Sequence, residues 1–119
     1  MESKHSLILS FRYALAGLKT AITKGRNFRL QVSLGALAVI LGLFLRLSFF
    51  EWSGLILVIA SVLILELLNT AIEEIVNIVS PETQERARIA KDVSARAVLI
   101  AALAAVLIGA FLFLPKILQ

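Results

Sequence analysis

The 119-residue chain has no cysteine, one histidine, two prolines and one tryptophan. Without cysteine, disulfides, thiolate metal sites and cysteine nucleophiles are excluded. The single histidine, His5, stands near the N-terminus, so neither a His-based zinc site nor a Ser-His-Asp triad can be assembled. No GxxxxGK[ST] or GxGxxG run occurs, so both common nucleotide-binding loops are missing. The first 30 residues are charged and amphipathic, with no continuous apolar core, so no cleavable signal peptide is expected. Charge is scarce too. Charged residues make up 17% of the chain and hydrophobic ones 60%, with a mean hydropathy of +0.95. A soluble domain is only about 45–50% apolar even with glycine counted, and a chain this short has too little interior to hide the excess. The expectation is a single, all-α, integral membrane domain: an N-terminal amphipathic surface helix plus three transmembrane helices. The net charge of +4 sits on residues flanking apolar segments, which fits anionic lipid and topology rather than nucleic acid.

Residues 6–24 place Leu7, Ile8, Phe11, Ala14, Leu15, Leu18 and Ile22 at helical spacing, with Arg12, Lys19 and Lys24 largely on the other side. These apolar stretches are too broken to span, which points to a helix in the membrane interface. The alternative is a helix docked on the protein's own core. Gly25 reads as a break within the basic cluster Lys24, Arg26 and Arg29. The first span is expected over about 30–50, with Arg46 snorkelling at its far end and Gly35, Ala38 and Gly42 admitting a close neighbour. A turn at Glu51–Gly54, with Trp52 as interfacial anchor, leads to a second span over about 53–79. Ser80-Pro81 marks a stop, with the serine able to cap a following helix. A polar loop over 80–96 precedes a third span over about 93–114, which Pro115 closes. Ala97, Ala101, Ala105 and Gly109 form a ladder of small residues for tight packing. Lysine and arginine concentrate before the first span and between the second and third. The positive-inside rule therefore puts the N-terminus and the 80–96 segment in the cytoplasm.

One stretch breaks the apolar pattern. In Glu66-Leu67-Leu68-Asn69-Thr70-Ala71-Ile72-Glu73, the polar residues Glu66, Asn69 and Glu73 are three and four residues apart, on one helical face. A charge placed mid-membrane costs about 2.5–3.5 kcal/mol on insertion scales, so an acid there points to function. The alternative is a protonated Glu66 that hydrogen-bonds Asn69 or a neighbouring helix and only holds the bundle together. Lys91 and Asp92 belong at the same cytoplasmic border. These residue types suit phosphoryl transfer, which needs an acid to orient or deprotonate the attacking hydroxyl, carboxylates for Mg²⁺ and a cation for phosphate. Glu66, the deeper acid, is the candidate base, and Glu73, nearer water, the candidate metal ligand. Composition alone leaves proton relay and kinase equally open.

The run from Glu66 to Glu73, followed by Ala90-Lys91-Asp92-Val93-Ser94-Ala95, resembles the signature of the bacterial diacylglycerol kinase family. Phe11-Arg12-Tyr13-Ala14, Gly17-Leu18-Lys19 and Asn27-Phe28-Arg29 fit the same pattern. Its members are small, three-span, homotrimeric lipid kinases with active sites shared between subunits. The form of the two motifs is most similar to the undecaprenol kinase branch. The resemblance implies an ATP-dependent lipid kinase of the bacterial inner membrane, multi-pass, that uses Mg²⁺. The acceptor would be a membrane lipid alcohol, undecaprenol first and diacylglycerol otherwise, and nucleic acid is no partner. It implies Glu66 as catalytic base and Glu73 as metal ligand. Nucleotide contacts would come from Tyr13, Glu73, Glu82, Thr83, Gln84, Lys91 and Asp92, and lipid-substrate contacts from Lys19, Glu66, Asn69 and Ala95. Three positions depart from the family pattern. Gly25 stands where a second metal-binding glutamate is usual, Asn77 replaces an aspartate, and Arg96 replaces a small residue. Restoring an acid at position 25 is expected to raise Mg²⁺-dependent activity. A catalytically impaired relative, or a non-enzymatic membrane protein with a proton or ion relay, is the alternative.

Overall fold

The computed structural model describes residues 2–82 and 84–119. Four helices follow one another: α1 (Glu2–Lys24), α2 (Arg26–Phe44), α3 (Phe49–Val79) and α4 (Glu85–Ile117). No strand occurs among the described residues. The envelope measures 54 × 47 × 22 Å. α2, α3 and α4 are each long and apolar enough to cross a membrane. α3 is the centre: it packs most extensively on α4, then on α2, while α1 packs mainly on α2.

Large side chains such as Ile40, Phe44, Leu57, Ile100, Val106 and Phe111 are all more than half exposed. That much apolar surface is stable only against lipid or another chain. The residues buried on α3 are Leu55, Val62, Glu66 and Asn69, spaced by seven, four and three and so on one face. One stripe thus begins apolar and ends polar. Leu68 and Ile75, on the other side at the polar end, are exposed. The ladder residues Ala97, Ala101, Ala105 and Gly109 are half-buried, and Ala105 and Gly109 line a groove of about 310 Å³ between α2, α3 and α4.

The corner between α1 and α2 turns on Gly25, whose backbone is extended (φ −96°, ψ 102°). Its N–H closes α1 by donating to the Ala21 carbonyl at 2.8 Å. A Cβ at Gly25 would lie 2.7 Å from that same oxygen. Helices end with carbonyls lacking intrahelical partners, and here Arg29 Nη1 donates to the carbonyls of Ile22 at 3.1 Å and Thr23 at 2.9 Å. α1 leaves Leu7, Ile8, Phe11, Leu15 and Ile22 exposed, so its apolar face is not docked on the protein's own core. Such a face suits a membrane interface.

The turn between α2 and α3 lies earlier than the sequence suggested. α2 ends at Phe44, α3 begins at Phe49, and Glu51–Gly54 are already helical. Two local signals account for the shift. Leu47 N–H donates to the Gly42 carbonyl at 3.1 Å and Arg46 N–H to that of Leu43 at 3.4 Å. Between them Arg46 has φ 56°, which makes a Schellman ending with arginine in the left-handed position. Arg46 is therefore a turn residue rather than the far end of a span. Ser48 Oγ then accepts from Glu51 N–H at 3.2 Å, and Ser48 N–H donates to Glu51 Oε1 at 3.1 Å, a reciprocal cap that starts α3.

α4 also departs from expectation at both ends. It starts at Glu85 with Gln84 before it, so residues 85–96 are helix rather than loop, continuous with the apolar run. Charged residues at the start of a helix continue it when they pair along it, and Arg88 pairs with Glu85 and Asp92. Ser80 ends α3 rather than capping α4. Pro115 lies inside the last turn and the helix continues to Ile117. Lys116, one residue on, bonds Glu51 across to α3 at 3.2 Å.

Candidate active site

A cavity of about 990 Å³ opens where α1 diverges from α3. One wall carries Glu66, Asn69, Thr70, Glu73 and Glu74. The other carries Gly17, Ala21 and Lys24, with Gly25, Arg26 and Asn27 closing the corner. Glu66 is 7% exposed and Asn69 8%, whereas Glu73 is half-buried and Glu74 exposed. The depth order inferred from the sequence, with Glu66 inside Glu73, is what the fold produces.

The polar groups are tied together. Thr70 Oγ1 donates to the Glu66 carbonyl at 3.0 Å, the usual destination of a threonine hydroxyl inside a helix. Asn69 Nδ2 donates to Glu73 Oε1 at 3.3 Å. Across the helix pair, Ser94 of α4 donates to Asn69 Oδ1 at 2.5 Å. Lys91 Nζ donates to Asn77 Oδ1 at 2.5 Å, joining α4 to the end of α3. Asp92 accepts from Arg88 Nη1 at 3.0 Å.

A second, smaller cleft of about 190 Å³ lies at the α3–α4 loop, lined by Asn77, Ser80, Pro81, Glu82, Gln84, Arg88 and Lys91. The expected site residues thus divide into groups. Glu66, Asn69 and Glu73 share the large cavity with Gly25. Lys91, Glu82 and Gln84 share the small cleft. Asp92 is half-buried beside Arg88. Tyr13, Lys19 and Ala95 are exposed and line neither space. Thr83 lies outside the described residues.

Glu74, Lys24 and Arg26 line the cavity and Ser94 reaches Asn69, though nothing in the sequence marks these four as site residues. Ser94 lies three residues after Lys91, so helical spacing already placed the two on one face. What that face meets was not written in the spacing. Asn77, four residues beyond Glu73, extends the polar stripe by spacing and departs from the family pattern, and it is the group that holds Lys91.

The acid wall offers only oxygen donors. No group of three or more histidine, cysteine, aspartate or glutamate side chains placed for a metal occurs among the described residues. Mg²⁺ suits such a wall, because it takes one or two protein carboxylates and completes its octahedron with substrate phosphates and water. Glu73, with Oε1 bonded to Asn69, keeps lone pairs for a cation.

Similarity to known proteins runs over almost the whole chain. Residues 12–113 match the prokaryotic diacylglycerol kinase family. A diacylglycerol kinase of Synechocystis sp. is 44% identical over 115 residues, which is 96% of this chain and 66% of that protein. An undecaprenol kinase of Bacillus subtilis is 36% identical over 108 residues, 91% of this chain and 88% of its own length. A diacylglycerol kinase of Haemophilus influenzae is 39% identical over 98 residues, 80% of each chain. With three helices able to span a membrane and a buried acid, Glu66, opening into the large cavity, the chain belongs to the prokaryotic diacylglycerol kinase family, membrane phosphotransferases that act on a lipid alcohol.

Proposed function

We propose that this protein transfers the γ-phosphoryl group of ATP to the hydroxyl of a membrane lipid, with undecaprenol as first choice and diacylglycerol as second. The observation that carries the reading is the buried pair Glu66 and Asn69, continuous with Glu73, facing a cavity between the surface helix and a membrane span. A lipid headgroup can reach such a cavity laterally and a nucleotide from the aqueous side. Two named relatives, one of each lipid specificity, support both acceptors, and the form of the Glu66–Glu73 motif favours undecaprenol.

In the proposed reaction Glu66 accepts the proton of the lipid hydroxyl as its oxygen attacks the γ-phosphorus. The new O–P bond forms while the bond to the β-γ bridging oxygen breaks, giving ADP and a lipid monophosphate. Transfer of this kind is mostly positioning and charge stabilisation. Glu66 is held by burial, Asn69 by two hydrogen bonds, and Glu73 by Asn69. Lys91 is held at the neighbouring cleft by a neutral carboxamide, so its full charge is left for phosphate. Mg²⁺ carried in with ATP would neutralise the phosphate oxygens at Glu73. The reading puts the protein in the bacterial inner membrane, as the family suggests, with its N-terminus cytoplasmic, supported by Lys19, Lys24, Arg26 and Arg29 before and at the start of α2 and by Arg86, Arg88 and Lys91 in the first turns of α4. A homotrimer with shared sites accords with the family, and the open cavity between α1 and α3 leaves room for a neighbouring subunit.

The test is to incubate purified protein with ATP, Mg²⁺ and either undecaprenol or diacylglycerol, and to follow the phosphorylated lipid. Undecaprenyl phosphate is the expected product. Phosphorylation of neither lipid by folded protein would overturn the proposal in favour of a non-enzymatic membrane protein, the reading that Gly25 motivates.

A further inference from the structure

Ser94 belongs to none of the groups assigned above, yet its hydroxyl makes a close inter-helix contact in the site. Ser94 Oγ lies 2.5 Å from Asn69 Oδ1 and 3.0 Å from the Lys91 carbonyl. A hydroxyl has one proton and so can donate to only one of them. Chemistry chooses. An ionised glutamate only accepts hydrogen bonds, so the edge of Asn69 facing Glu73 at 3.3 Å must be the amide nitrogen. The other edge, facing Ser94, is then the oxygen, and Ser94 must donate to it. The Lys91 carbonyl is an ordinary helical acceptor and does not need the proton. Asn69 is 8% exposed, and a buried acceptor left without a donor is costly.

We infer that Ser94 is a positioning residue: it fixes the orientation of the Asn69 carboxamide, which in turn aims Glu73 at the metal and phosphate. The inference rests on the reading of Glu73 as the metal-side acid. Ser94 touches no substrate in this scheme and acts through Asn69. Because Lys91 and Asp92 lie on the same turn of α4 as Ser94, the bond also locks the register of the phosphate-side residues of α4 against the acids of α3. Without it Asn69 can turn over, which presents oxygen to a carboxylate and pushes Glu73 away. Partners that orient a metal ligand typically change metal affinity about 10–100-fold when removed.

The test compares wild type with Ser94→Ala and Ser94→Thr, each in detergent. Binding of a non-hydrolysable ATP analogue is titrated against Mg²⁺, alongside steady-state kinetics for each lipid and thermal unfolding. In Ser94→Ala, the Mg²⁺ concentration for half-maximal analogue binding should rise about 10–100-fold, with the KM for lipid unmoved. Ser94→Thr, which keeps the hydroxyl, should stay near wild type. Unchanged Mg²⁺ dependence in Ser94→Ala, with or without a lower unfolding temperature, overturns the inference, as does an equal shift in both variants. Binding does not require turnover. A wild type that binds the analogue but phosphorylates neither lipid overturns the kinase reading, while the Ser94 comparison is still decided. A wild type that binds no analogue at any Mg²⁺ concentration overturns both.

Discussion

The two ends of α3 are built on opposite rules. At its start every device closes the structure. Ser48 and Glu51 cap each other, Glu51 reaches Lys116 of α4, and Trp52 packs on Gly42 so closely that a Cβ there would lie 2.9 Å from the ring. At its far end the buried residues are a carboxylate and a carboxamide, a large cavity opens beside them, and the next helix starts without a side-chain cap. Apolar side chains there face outward and polar ones inward, the reverse of a soluble protein. This small fold thus separates holding together from reacting. The closed end stiffens the helix pair, and the open end accepts buried polar groups that packing alone would reject.

Substitutions at the two ends should therefore fail in different ways. The largest effect is expected for Glu66→Gln at the open end. Turnover should fall about 10²–10⁴-fold, the usual contribution of a positioned proton acceptor, with the unfolding temperature kept or raised because a neutral amide is easier to bury. Retained activity would remove Glu66 from the role of base. At the closed end, Gly42→Val should cost about 3 kcal/mol through overpacking against Trp52 and Leu47, read as a lower unfolding temperature. Its kinetic constants should hold wherever the protein is folded. If turnover fell instead, the separation of the two ends would be wrong.

Gly25 lies between these cases, because it is both a corner and part of the cavity wall. Gly25→Ala should destabilise by about 1–2 kcal/mol, since its Cβ would meet the Ala21 carbonyl. Gly25→Glu carries the same steric cost and adds a carboxylate. It should exceed the alanine variant in Mg²⁺-dependent lipid phosphorylation, and equal rates would show that no acid is wanted there. The smallest effect is a gain: Arg46→Gly relieves a left-handed residue at φ 56° and should stabilise by about 1 kcal/mol, without altering activity.

Much of this was legible in the chain. Helical periodicity gave α1 and the polar face of α3, and long apolar runs gave the spans. Spacing also placed Glu66, Asn69 and Glu73 together, because neighbours three and four apart on one helix need no tertiary information. The junctions were less legible. Glu51 looked like a turn residue because it is charged between apolar runs, but it is the reciprocal partner of Ser48. Pro115 looked like a stop. A proline near a helix end removes only one internal hydrogen bond, and the last turn absorbs it. The charged segment from Glu85 looks like a loop by its polarity, but Arg88 pairs with Glu85 and Asp92 along the helix.

Composition and spacing establish that the protein is helical, lies in a membrane and carries acids where lipid should be. Composition and period-3.6 spacing are local properties, and local properties survive without knowing how helices meet. Helix packing makes the polar stripe continue the buried face of α3 rather than oppose it. Packing also brings Ser94 and Lys91 back to Asn69 and Asn77 and presses Gly25 against Ala21. Those contacts depend on the rotation and register of one helix against another, which are set by the summed packing of α2, α3 and α4 and are encoded in no single stretch of the chain.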